Sequence, residues 1–377
     1  MPLSSPTAPD ATAPTGRHLP VDALRGIAVL LVLGRHLDLP ANGLPSVVAG
    51  ALAAWQRIGW IGVDLFFVLS GFLVGGLLFH EHRRHGDVQA WRFLARRGCK
   101  IYPGFVALLL YSAWFAAPQP TSAWWHEALF VQNYLTPRIW NHTWSLAVEE
   151  HFYIGLALVL AMATRRRRGT ADLRRTPHAI AGLCGLALAM RCATWCWQPA
   201  DHLLFPTHLR LDALGLGVGI AYAWHQHRER TMQWTRDHRF ALRVVAAVLL
   251  VPCCTLCIEG NAFLNTVGLT ANAAAFGAVL LLTLARPDGA ASAATESAAR
   301  IGRDSYSIYL WHMPIAELVR WHVTPWADPM PALACYLVGS IAIGLLAARI
   351  IERPFLAWRD RRLPHRAPSG LLTSCRS

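Results

Sequence analysis

Charge is what this sequence has least of. Only 15% of its 377 residues are Asp, Glu, Lys or Arg, against about 25% in an average soluble domain. That scarcity excludes a water-soluble module of domain size. No basic region precedes the first apolar run, and no small-residue cleavage site follows it closely, so the start does not read as a signal peptide. Residues 1–20 are rich in Pro, Ser, Thr and Ala and are expected to be a disordered N-terminus. The nine cysteines lie mostly in apolar segments, among them Cys184, Cys192, Cys196, Cys253, Cys254 and Cys257. They form no paired CxxC with distant His ligands, which argues against structural zinc, and no metal site is expected. They read instead as small buried hydrophobes. No internal repeat is evident, which counts against a carrier built from inverted halves.

What is abundant is apolar sequence, 54% of the chain. Segments long enough to span a bilayer, or nearly so, fall at about 23–40, 57–79, 101–117, 143–164, 178–198, 209–225, 240–257, 266–285, 303–322 and 331–351. The sixth is the shortest. With a cytoplasmic N-terminus, the inside segments carry 25 Lys and Arg residues and the outside segments only Arg138. Basic residues concentrate on the cytoplasmic side of membrane proteins, so the alternation fixes ten crossings with both ends inside. The expectation is therefore an all-α polytopic bundle of about ten transmembrane helices over 21–356, followed by a basic cytoplasmic tail at 357–377. The formal charge of +13 is explained by this topology and by anionic lipid, leaving nothing that calls for nucleic acid. The outside loop 118–142 and the start of the next span hold Trp124, Trp125, Trp140 and Trp144. They form an interfacial belt or a lid over an opening.

Polar residues inside apolar runs carry the chemistry, because charge is costly there and is kept for sites or pathways. In the first span, DALRGIAVLLVLGRH, Arg25 and His36 are eleven residues apart. Eleven residues make three helical turns plus about 20°, so the two share a face roughly 16 Å apart along the axis. The second span, GWIGVDLFFVLSGFLVGG, holds Asp64 and Ser70. Asp64 needs a cationic or hydrogen-bonding partner, with Arg25, Arg35 and His36 as candidates. It is either part of a site or half of an ion pair locking the first two helices. Arg96, Arg97 and Lys100 cluster where the third span begins. Such a cluster suits lipid phosphate or the phosphates of a soluble donor such as coenzyme A. In TWSLAVEEHFY, Glu149 and Tyr153 share a helix face, while Glu150 points about 100° away. Further on lie Arg210 and Asp212 in RLDALGLG, Tyr306, Tyr309 and His312 in SYSIYLWHMP, and Glu352 and Pro354 at the end of the last span. His312-Met-Pro resembles a helix broken near the outer half.

These motifs resemble the acyltransferase-3 family of bacterial integral-membrane acyltransferases. The likeness covers about residues 20–356 and rests on Arg25 and His36, GVDLFFVLSGFL at 62–73, TWSLAVEEHFY at 143–153, RLDALGLG at 210–217 and SYSIYLWHMP at 305–314. It implies transfer of an acyl group, most often acetyl, from cytoplasmic acyl-CoA to a hydroxyl. No permanently bound cofactor is implied; acetyl-CoA is a co-substrate. The family's first-helix Arg and His correspond to Arg25 and His36, and its WSLxVEE carboxylate to Glu149, with Glu150 beside it. Two departures stand out. Lys100 occupies the second place of the usual RxxR, losing the bidentate fork of a guanidinium. His151 stands where Gln is common.

On this resemblance the catalytic set is His36, Arg25, Glu149, Glu150 and Asp64. His36 acts as general base on the acceptor or carries the acyl group. Glu149 or Asp64 orients it, and Arg25 stabilises the donor or the developing oxyanion. Arg96, Arg97 and Lys100 meet the donor phosphates, and Arg35, Ser70, Tyr153, Arg210 and His312 complete the binding set. The favoured acceptor is a lipid-linked or polymeric glycan of a cell-envelope or exported polysaccharide, such as an O-antigen or exopolysaccharide, at the bacterial inner membrane. Acylation of a small glycoside such as a macrolide is the alternative within the class. A proton-coupled transporter is the alternative outside it.

Overall fold

The first apolar run forms α1 (Leu19–Arg35). Pro20 sits in its first turn, where a missing N–H costs nothing, and Asp22 faces the positive end of the helix dipole. The computed structural model describes residues 18–37, 44–115, 118–165, 173–197, 201–286, 291–324, 328–364 and 366. Most of the expected disordered N-terminus and the last part of the basic tail lie outside these residues. The helices that follow are α2 (Ser46–Ile58), α3 (Ile61–His85), α4 (Ala90–Phe115), α5 (Thr121–Ala128), α6 (Trp144–Arg165), α7 (Thr176–Trp197) and α8 (Leu211–Gln226). Then come α9 (Arg228–Asp237), α10 (Arg239–Thr255), α11 (Leu269–Leu284), α12 (Ala293–Arg303), α13 (Ser305–His322), α14 (Pro329–Ala347) and α15 (Arg353–Arg362). No strand occurs among the described residues, so the chain is the all-α bundle that its apolar periodicity implies.

Each of the ten apolar segments contains a helix: α1, α3, α4, α6, α7, α8, α10, α11, α13 and α14. Among the described residues, five helical stretches are long and apolar enough to cross a membrane by themselves: Ile61–His85, Asn141–Arg165, Leu173–Trp197, Leu264–Leu284 and Pro329–Arg362. The bent pair α9 and α10, meeting at 75°, makes a sixth if taken as one span. The others fall short for physical reasons. Helices α1, α8 and α10 have 17, 16 and 17 residues, below the roughly 20 that cross hydrocarbon. The first turns of α4 hold Arg92, Arg96, Arg97 and Lys100, and α13 mixes Ser, Tyr and His into its apolar face.

Helix α3 is the axis of the fold and is buried along most of its length, whereas α7 buries only Ala187 and Arg191. The crossing of α3 with α8 depends on glycine. A methyl group at Gly71 would lie 2.0 Å from the Leu214 carbonyl oxygen, and one at Gly217 2.2 Å from that of Val68. Such backbone approach replaces the hydrophobic drive that lipid denies to helix association. Short helices fill in around this frame. Trp55 of α2 donates its indole N–H to the Leu30 carbonyl at 3.0 Å, and α12 packs along α1. The tail begins as α15, which lies against the start of α4: Arg96 meets Asp360 at 3.0 Å, and Arg92 and Arg96 reach the carbonyls of Pro364 and Leu363.

Candidate active site

Helices α1, α3, α4, α6 and α13 line a half-open chamber. Its apolar lining comes from Val63, Phe66, Phe67 and Leu73 of α3. Its polar lining is lopsided: Arg25, Arg97 and Lys100 face Glu149, the one carboxylate that lines it among the described residues. Glu149 is held from both sides. Ser70 donates to one oxygen at 2.6 Å and Tyr153 to the other at 2.8 Å. Tyr153 lies one turn beyond Glu149 on α6, so helix geometry alone supplies that bond. The Arg97 guanidinium lies over the Tyr153 ring, 4.5 Å from its centre. Lys100 sits 3.7 Å from Glu352, which also accepts a bond from Ser307 at 2.9 Å. Tyr306 fixes α13 to α4 by donating to the Ile101 carbonyl at 2.6 Å. The donor set is cationic and aromatic. No group of three His, Cys, Asp or Glu suited to a metal occurs among the described residues.

One wall of the chamber backs onto a group of imidazoles. Tyr309 lines the chamber and pairs with the Ser145 hydroxyl at 2.5 Å. Behind it, His312 lies between His36 and His142, with ring centres 4.9 and 5.0 Å away. His36 caps the C-terminal end of α1, and its Nδ1 is 3.2 Å from His312 Nε2. His142 precedes α6, and its Nε2 lies 3.2 Å from the Leu310 carbonyl. That carbonyl is open to it because Pro314, four residues on, has no N–H to donate. The proline therefore leaves α13 continuous, contrary to the expected break, and frees one acceptor.

The family profile described as "Acyltransferase domain" matches residues 20–349. The chain belongs to the acyltransferase-3 family. Among curated relatives, it is similar to the peptidoglycan O-acetyltransferase OatA of Listeria monocytogenes, with 24% identity covering 89% of this chain and 56% of that protein. It is likewise similar to the O-acetyltransferase OatA of Staphylococcus aureus, with 25% identity covering 90% of this chain and 57% of that protein. The chain thus spans less than two thirds of the length of these relatives. No solved structure matches it.

In this acyltransferase-3 chain the motif residues do not all converge. Arg25, Ser70, Arg97, Lys100, Glu149 and Tyr153 meet at the chamber. Glu150 turns away, as its 100° offset requires, and takes a bond from Tyr102 at 3.2 Å. Asp64 pairs with none of Arg25, Arg35 or His36. It is buried in an ion pair with Arg210 and accepts a bond from Asn272 at 2.5 Å. Arg210, expected at the substrate, is held in that pair between the rings of Phe67 and Trp144. Both residues lock α3 to α8 and α11. Arg35 pairs instead with Glu259, and Arg96 is taken up by the α15 segment. His36 has neither Glu149 nor Asp64 as hydrogen-bond partner: Ser70 and Tyr153 hold the first, Arg210 and Asn272 the second.

Three residues escaped the sequence reading. Arg191 is fully buried in α7, bonded to Asp212 at 2.7 Å and to the Thr266 carbonyl at 3.2 Å. A lone charge inside the apolar run 178–198 was the available signal. His142 could have been flagged as the residue beside TWSLAVEE. Nothing in the sequence marks Asn272 as a partner of Asp64.

Proposed function

We propose that the chain transfers an acetyl group from acetyl-CoA to a sugar hydroxyl of a cell-envelope glycan. The observation that carries this reading is the chamber itself, where Arg25, Arg97 and Lys100 converge on a largely apolar cleft. Guanidinium and ammonium groups recognise phosphate, and the apolar wall suits the thin arm of the donor. The start of α4 lies on the side that basic residues mark as cytoplasmic, where acyl-CoA is found. The same charge bias supports placement in the bacterial inner membrane with both termini cytoplasmic.

Geometry divides the roles within α1. Arg25 and His36 lie roughly 16 Å apart along one unbroken helix. They cannot both touch one carbonyl, so Arg25 serves the donor's phosphate end and His36 the reacting end. His36 takes the proton of the acceptor hydroxyl. The oxygen forms a bond to the acetyl carbon, the carbon–sulfur bond breaks, and the imidazolium returns the proton to the departing thiolate. The relatives include a peptidoglycan O-acetyltransferase, which supports a cell-envelope glycan as acceptor. Exopolysaccharide and O-antigen are other acceptors of the same chemistry.

The test is incubation of the purified protein in nanodiscs with radiolabelled acetyl-CoA and a soluble N-acetylglucosamine oligosaccharide. Label should move to the sugar in the wild type and not in His36→Ala. Absence of any acetyl-CoA consumption by the wild type overturns the reading.

A further inference from the structure

We propose that His312 is the positioning residue for His36, so that a neutral imidazole does here what a carboxylate does in a Ser-His-Asp arrangement. The inference rests on the reading of His36 as the base. It follows from which atoms can hold hydrogen. His312 Nδ1 lies 2.5 Å from the Tyr309 carbonyl oxygen. A carbonyl only accepts, so Nδ1 carries the hydrogen, and the other nitrogen of a neutral ring is then bare. That bare Nε2 faces His36 Nδ1 at 3.2 Å. His36 Nδ1 also lies 3.1 Å from the Val32 carbonyl. Two acceptors converge on one nitrogen, so His36 Nδ1 holds the hydrogen and shares it between them. Its Nε2 is left with a free lone pair, which is the tautomer that a base acting through Nε2 requires. The opposite tautomer would set the Nδ1 lone pair against two other lone pairs.

The arrangement is built in rather than incidental. His312 is fully buried. Its ring is fixed by the edge of His142, inclined at 74°, and His142 is fixed in turn by the Leu310 carbonyl that Pro314 leaves free. Tyr309 donates its hydroxyl hydrogen to the His142 carbonyl at 2.7 Å, tying the group to the chamber wall. No carboxylate shares a hydrogen bond with His36 among the described residues. When His36 Nε2 takes the acceptor proton, the ring becomes a cation while its Nδ1–H still points at the same two acceptors. Those bonds become charge-assisted, and so strengthen, only as the reaction proceeds.

The decisive comparison is His312→Gln against His312→Met in the full chain in nanodiscs. A glutamine amide oxygen reaches the position of Nε2 and can accept; methionine fills similar space and accepts poorly. Acetyl transfer from acetyl-CoA to the N-acetylglucosamine oligosaccharide is measured, with melting temperature as the check on folding. Methionine should lower kcat about 100-fold, and glutamine less than about 10-fold, with KM for acetyl-CoA unchanged in both. Equal activity of the two variants, high or low, overturns the proposal while an active wild type keeps the transferase reading. An inactive wild type, by contrast, removes the reading itself.

Discussion

Lys100 is the only lysine in the chain, and it lines the chamber together with Arg25 and Arg97. An amine-selective reagent should therefore modify one internal position, and acetyl-CoA should protect it; peptide mass mapping with and without donor checks this. Removing the ammonium as Lys100→Ala should raise KM for acetyl-CoA about 10-fold and leave kcat nearly unchanged, because the contact is equal in ground and transition states. Glu127 of α5 makes a separate prediction. Burial pushes its carboxyl up to about 7, against the opposing bonds from the Thr143 hydroxyl and the Trp140 and Ile139 N–H groups. In the unfolded chain it ionises near 4.5. The folded state thus binds the extra proton between those values. This contribution to stability is complete below about 4.5 and disappears as pH rises through 7, amounting to about 3 kcal/mol. Glu127→Gln should flatten the fall in melting temperature between pH 5 and pH 8; an unchanged slope would show that Glu127 does not titrate there. At this scale Arg25, Ser70, Arg97, Lys100, Glu149 and Tyr153, which the fold brings together at the chamber, all carry motif signals. The sequence misjudged partners. Asp64 and Arg210 stand 146 positions apart, and no local pattern specifies a contact of that range.

Between elements, buried polar pairs act as pins. The Asp64–Arg210 pair joins α3 to α8, and the Arg191–Asp212 pair joins α7 to α8. Removing one partner leaves an uncompensated buried charge. Asp64→Asn should therefore cost about 3–5 kcal/mol, whereas Asp64→Asn combined with Arg210→Met should recover part of that loss. Thermal unfolding of both variants in one detergent measures the difference, and a double variant no more stable than the single one contradicts it. Element existence was legible where apolar runs are long: each of the ten segments holds a helix. Helices α2, α5, α9, α12 and α15 were not, because pieces of 8 to 13 residues are marginal helices by themselves and are stabilised by the neighbours they cover. The extra length of α4 was hidden for a related reason. Its first turns are polar, and their helicity is supported by packing against α15.

For the molecule as a whole, charge bias and helix order make a topological statement. On a background free of the nine native cysteines, Ser122→Cys should react with an impermeant thiol reagent on intact cells, and Gln233→Cys only after lysis; the reverse pattern overturns the orientation. What the sequence could not disclose at this scale is which helices form the chamber. Its lining comes from α1, α3, α4, α6 and α13, whose shared neighbourhood is a matter of packing rather than of order along the chain. The tight contact at Gly71 lies one residue from Ser70. The side of the cleft formed by α3 is thereby anchored to main chain on α8 and has no slack with which to mould itself to a bulkier guest. Any tolerance for longer acyl chains must come from the facing side, where Tyr306, Tyr309 and the first half of α4 set the width. Substitutions that widen the range of donors should arise there and not along α3.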